Sequence, residues 1–144
     1  MRFTSDPRLE DGLLERNFTR DGIPGILWAP DSASPATPVP LILLGHPGGP
    51  QQMRPRLAAR ARRSAADGFA TAAIELPGGG DRPALPAVDE ARADLRRVLA
   101  EGTSVTDDIV RRLILPLVEA AVPEWQTVLD ALLALPEIGG PVGY

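Results

Sequence analysis

The sequence contains no cysteine, which excludes disulfides, a thiolate nucleophile and cysteine-bound metals. It also contains no lysine: all 15 of its basic residues are arginine. Its single histidine, His46, is too little for a histidine-rich metal site, so neither a metal nor a cofactor is implied. Long apolar runs are missing too. The longest span about five residues, whereas a membrane-crossing helix needs ~20. Residues 1–12 are charged and lack the apolar centre of a secretory signal. A soluble, cytoplasmic protein without a membrane partner is therefore the expectation. The net charge of −4 leaves no basic footprint for nucleic acid or an anionic membrane. What remains is ordinary globular material, 44% hydrophobic and 24% charged over 144 residues, enough for one domain with a core.

The order of segments is informative. Residues 14–19 predict a strand, Asp21-Gly22 a tight hairpin turn, and residues 25–29 the returning strand. Pro24 would confine that strand to a sheet edge. Residues 30–38, rich in Pro, Ser and Ala, predict a surface loop. The pattern then changes to a continuous apolar strand, residues 39–44, buried on both faces. It runs into Gly45-His46-Pro47-Gly48-Gly49-Pro50. A helix over 51–67 follows, with Met53, Leu57, Ala61 and Ala65 on one face and Gly68 as its stop. A second buried strand, 70–76, runs into Pro77-Gly78-Gly79-Gly80-Asp81. Strand, glycine loop, helix and strand make a crossover unit, for which parallel pairing is the default.

The remainder predicts helices. Residues 87–100 place Val88, Ala91, Leu95, Val98 and Leu99 on one face. Ser104 with Asp107 resembles a capping box, opening a helix with Ile109, Val110, Leu113, Ile114, Leu117 and Val118 inward. Pro116 should kink or break it, and Pro123 suits the first turn of a further helix bearing Trp125, Val128, Leu129 and Leu132. Pro136 ends that helix, and Pro141-Val142-Gly143-Tyr144 opens a new strand.

A hairpin, a strand, the Gly-His-Pro-Gly-Gly loop, a helix, a strand, the Pro-Gly-Gly-Gly-Asp loop, helices and a new strand together resemble the N-terminal half of the α/β-hydrolase fold. The likeness is to its dienelactone-hydrolase-like and small bacterial esterase branch, over residues 14–144. The resemblance implies an α/β fold in which an antiparallel hairpin leads into a mainly parallel sheet with flanking helices. It also implies a nucleophile elbow, Gly-x-Ser-x-Gly, at the end of the strand begun at Pro141. Ser5, Ser32, Ser34, Ser64 and Ser104 all lie outside such a setting. Serine, acid and histidine are then expected on a continuation beyond Tyr144 or on a second polypeptide, and the chain alone should be inactive.

In acyl transfer, backbone N–H groups stabilise the tetrahedral oxyanion. A glycine loop at the carboxyl end of a parallel strand is suited to supply them. Pro47 has no N–H, so Gly48 is the first candidate donor and Gly49 the second. His46, Pro47 and Gly79 are candidates to line the pocket. His46 as general base would need a nucleophile and a carboxylate beside it, and the resemblance makes it a loop-ordering residue instead. The Gly78–Arg82 segment fails the phosphate-loop patterns, and Asp81 with Arg82 suits a local ion pair. Glu75, a single carboxylate ending its strand, specifies no chemistry.

The leading expectation is thus a serine hydrolase acting on a small-molecule acyl substrate. Its alternative is a non-catalytic hydrolase-like module for binding or interaction. Residues 84–122 would form a helical insertion or cap, serving as a lid or as a homodimer contact. A sheet ending at Tyr144 would leave an unpaired strand edge.

Overall fold

The computed structural model describes residues 1–46 and 49–144. Two short strands, β1 (Arg2–Phe3) and β2 (Arg8–Glu10), pair with β3 (Leu13–Arg20), which forms a hairpin with β4 (Ile23–Pro30). The turn between them holds Asp21 at φ 49° and Gly22 at φ 79°, the positive pair expected of this dipeptide. Next come β5 (Val39–Leu43), α1 (Pro50–Ala66), β6 (Ala70–Ile74), α2 (Pro86–Ala100), α3 (Asp107–Leu133) and β7 (Ile138–Gly143). The sheet order is β1-β3-β4-β6-β5-β7, with β2 also on β3. β4 runs antiparallel to β6, while β5, β6 and β7 are mutually parallel.

The chain falls into two compact units. One comprises Met1–Glu75 and Trp125–Tyr144, the other Leu76–Glu124. In the first, α1 lays Leu57 and Ala61 on a core made by Leu13, Ile26, Trp28, Leu44 and Ala73, with Met53 and Ala65 at its margin. These are the four-residue positions expected of the helix, and Gly68 follows it at φ 82°. Trp28 is fully buried, yet its indole N–H donates to Glu15 Oε2 at 2.7 Å from the directly opposite position on β3. The other oxygen of Glu15 pairs with Arg54 of α1. Gly25 is required by its neighbour: a Cβ there would stand 2.3 Å from Phe18 Cζ, on the ring that fills this part of the strand pair.

Several sequence expectations are corrected. Pro24 does not mark an edge, because β4 lies inside the sheet between β3 and β6. The proline is tolerated at the end of the ladder. Glu75 N–H donates to Pro24 O at 2.8 Å just beyond Ile74, so only the one return bond is forfeited. On β5 only Leu41 is fully buried, although all of β6 is. α3 is one helix of 27 residues through both Pro116 and Pro123. Each proline removes a single amide bond, while a break would leave up to four carbonyls and four N–H groups to be satisfied. Its start is marked by Thr106 instead of Ser104: Thr106 Oγ1 accepts from Ile109 N–H at 3.4 Å.

The inward stripe of α3 is also revised. Ile109 is buried, whereas Val110, Ile114 and Val118 are about half exposed, as are Leu115 and Val122. On α2, Val88 and Ala91 are buried and Leu99 is 61% exposed. Helical periodicity finds an apolar face without saying whether anything covers it. No helix among the described residues is long and apolar enough to cross a membrane.

Candidate functional site

The parallel strands set the location. From β5 the chain crosses through α1 to β6 on one side, and from β6 it returns through α2 and α3 to β7 on the other side of β5. The two successive crossovers run in opposite directions across the sheet and flank β5, which makes its carboxyl end a topological switch point, where open α/β sheets bind ligands. Gly45 and His46 lie there. A cavity of about 420 Å³ is lined by Leu43, Gly45, His46, Arg60 and Tyr144, joining the ends of β5 and β7.

His46 is nearly buried, and its Nε2 lies 2.8 Å from the carbonyl oxygen of Ile74, the last residue of β6. A carbonyl only accepts, so Nε2 carries the proton and donates it. This nitrogen ties the end of β5 to the end of β6 and is not offered to a substrate. Gly49 stands at the N-cap of α1 with extended backbone (φ −63°, ψ 142°), and its carbonyl accepts from Met53 N–H at 3.1 Å. A Cβ on Gly49 would lie 3.4 Å from Glu75 Oε1 and 3.6 Å from Oε2. Pro47 and Gly48, the pocket residue and first oxyanion donor expected from sequence, lie outside the described residues.

Glu75 is the site residue whose surroundings the sequence did not disclose. It is 7% exposed, and with Thr4, Ser5, Asn17, Pro50 and Gln51 it lines a second cavity of about 240 Å³. The carboxylate thus faces the first residues of α1. A charged residue directly after the fully buried strand Ala70–Ile74 is the signal that marks it. Arg60 and Tyr144 carried no such signal, since one is among many arginines and the other is a terminal aromatic.

The second unit holds the other glycine loop. Gly79 N–H donates to Leu76 O, and Arg82 N–H to Gly79 O, both at 3.0 Å, so Gly79 sits in consecutive tight turns. Arg82 reaches beyond its neighbour Asp81 and forks onto Glu124, with Nη1 2.7 Å from Oε2. The same unit carries an exposed ion-pair cluster in which Asp94 and Asp108 both bond Arg112 at 2.9 Å. The hydrogen bond from Arg112 holds the Asp94 carboxyl below its ordinary value, against a small opposing effect of burial. Among the described residues no group of three His, Asp or Glu side chains is placed to hold a metal ion.

No protein-family model and no curated protein sequence matches this chain. Solved structures do. A cold-adapted esterase from an Arctic intertidal metagenomic library aligns over 99% of this chain with 25% identity and a TM-score of 0.63. A hypothetical protein from Pseudomonas aeruginosa (15% identity) and a candidate acetyl xylan esterase from Bacteroides fragilis (18%) each align with a TM-score of 0.51, over 96% and 94% of this chain. The fold is that of the α/β-hydrolases. The chain spans about half the length of the Arctic esterase, 54%, and 38% of each of the other two. The expected fold class, an antiparallel hairpin leading into a mainly parallel sheet with flanking helices, is the one observed.

Proposed function

We propose that this chain forms the oxyanion-hole side of a serine hydrolase that cleaves carboxylic esters or related acyl bonds of small molecules. The observation that carries this reading is the placing of Gly45 and His46 at the carboxyl end of β5, and of Gly49 at the N-cap of α1, at the switch point of a sheet whose solved likeness is an esterase. Gly48 and Gly49 supply the backbone N–H groups that meet the developing oxyanion, Gly48 first. His46 and Pro47 line the pocket. The bond from His46 Nε2–H to Ile74 O suits a residue that orders the loop, and it is unsuited to a base that must exchange its proton at that nitrogen.

The nucleophile, its acid partner and the catalytic histidine come from a continuation beyond Tyr144 or from a second polypeptide. The one histidine of this chain is committed to Ile74, and no Gly-x-Ser-x-Gly occurs in it. The 144 residues alone are therefore inactive, and residues 84–122 act as an insertion or cap.

Intact-mass spectrometry of the protein before and after a fluorophosphonate tests this. A longer or second polypeptide that gains the probe's mass, while the 15.3 kDa chain remains unlabelled, is the expected outcome. Labelling of a serine within residues 1–144, or folded protein that gains no probe anywhere, rejects it.

A further inference from the structure

The amino end of α1 is unusually bare for a helix start at a working loop. Its N-cap is Gly49, with no side-chain capping bond, and its first turn contains no acidic residue. Pro50 at the first helical position has no N–H. Gln51 and Gln52 therefore carry the first helix N–H groups that have no acceptor within the helix, and they sit at the positive end of its dipole. The missing counter-charge is present, but on another element. Both carboxylate oxygens of the buried Glu75 face Gly49, and Glu75 shares a cavity wall with Pro50 and Gln51.

Glu75 is itself firmly placed. Its N–H donates to Pro24 O at 2.8 Å on β4, and the preceding carbonyl, that of Ile74, accepts from His46 Nε2. Two consecutive residues at the end of β6 thus reach both described flanks of the glycine loop. Ile74 engages His46 before it, and Glu75 stands against Gly49 after it. We infer that Glu75 is a positioning residue for the oxyanion loop: its carboxylate supplies the counter-charge that the Gly49 N-cap cannot, and fixes the Gly49 amide from the strand next door. This rests on the reading of residues 45–50 as the oxyanion loop. Its physical basis, a buried carboxyl group at a helix amino end, is read from position alone.

The requirement is for charge and shape together, so Glu75→Gln, which keeps the shape, is the decisive variant. Amide hydrogen exchange at Gln51 and Gln52 should quicken roughly two- to fivefold in Glu75→Gln, and the Gly49 amide resonance should move. In the complete enzyme kcat should fall ~10- to 100-fold, the scale of a misplaced catalytic group, while KM stays within about twofold. Glu75→Asp should recover part of that loss. If Glu75→Gln matches the parent in amide exchange and in kcat, the inference is overturned. Should that variant fail to fold, Glu75→Asp serves alone: it keeps the charge but draws it back by one methylene, so it should quicken exchange at Gln51 and Gln52 and lower kcat, each by less than loss of the charge would. Parental exchange and kcat would again overturn the inference. A parent enzyme that takes no fluorophosphonate sinks the hydrolase reading instead, and leaves the exchange and resonance measurements to judge Glu75.

Discussion

The two compact units of this chain are built on different principles. The sheet unit, residues 1–75 with 125–144, has a closed centre: Phe18, Leu27, Trp28, Leu41, Leu57, Ile74, Val128 and Leu132 are all under 2% exposed, and its exposed apolar residues, Leu9, Leu133 and Val142, lie at its margins. The helical unit, residues 76–124, buries smaller groups such as Val88, Ala91 and Ile109, and leaves Leu99, Val110, Ile114, Leu115 and Val118 substantially exposed. In the sheet unit a ladder brings distant segments together in fixed register, so the central strands β4 and β6 are buried along nearly their whole length. A helix satisfies its backbone internally and forms without a neighbour for every apolar residue. The lesson is that the apolar stripe of a helix marks core where the helix lies on the sheet, as at Leu57, Val128 and Leu132, and elsewhere marks a surface available for covering.

Mutations should expose that contrast. The largest effect is expected at Trp28. Trp28→Ala empties a fully buried site and strips Glu15 of its indole donor, and should cost about 3–5 kcal/mol in urea-induced unfolding. A loss under about 1 kcal/mol would mean that the hairpin is not the centre of stability. Pro116→Ala should act in the opposite direction. α3 runs unbroken through this proline, so restoring the missing N–H to the carbonyl of Arg112 should raise stability by up to about 3 kcal/mol. A destabilised variant would mean that the helix needs the proline.

A smaller effect concerns Glu137, which pairs with Arg16, whose guanidinium also lies 4.3 Å from the Phe3 ring centroid. Burial pushes the Glu137 carboxyl up, but the hydrogen bond and charge of Arg16, with a backbone bond, outweigh it and hold it below its ordinary value. A depressed folded value means that the contribution is complete above the unfolded value and fades as pH falls through the folded one. Glu137→Gln should therefore cost roughly 1 kcal/mol near neutrality. The penalty should shrink in melts below about pH 4, and a penalty that grows on acidification would contradict this sign. The smallest effect belongs to the exposed face of α3. Ile114→Ser should change stability by less than about 0.5 kcal/mol, and a loss above 1.5 kcal/mol would show the face to be covered in the folded protein.

Much of the fold was legible in the residues. The Asp21-Gly22 turn, the α1 face of Met53, Leu57, Ala61 and Ala65, and the two strands either side of it follow from period and turn chemistry, and the structure holds them within a residue or two. Prolines misled where tertiary context outweighed local preference, at Pro24 inside the sheet and at Pro116 and Pro123 inside one helix. The candidate loop was legible as glycine at the end of a buried strand, and His46 as its unusual member. That His46 binds Ile74, and that Glu75 stands against Gly49, was not legible. Both depend on β6 lying beside β5, a contact between segments about thirty residues apart.

By itself, the sequence determined what this chain lacks for chemistry and which segments become strand, helix and glycine loop, because period, turn residues and composition act locally. Only the tertiary structure decided which strand neighbours which, and so where the switch point falls and which carboxylate meets the amino end of α1. Sheet order is set by long-range hydrogen bonding and burial, and no local pattern encodes it.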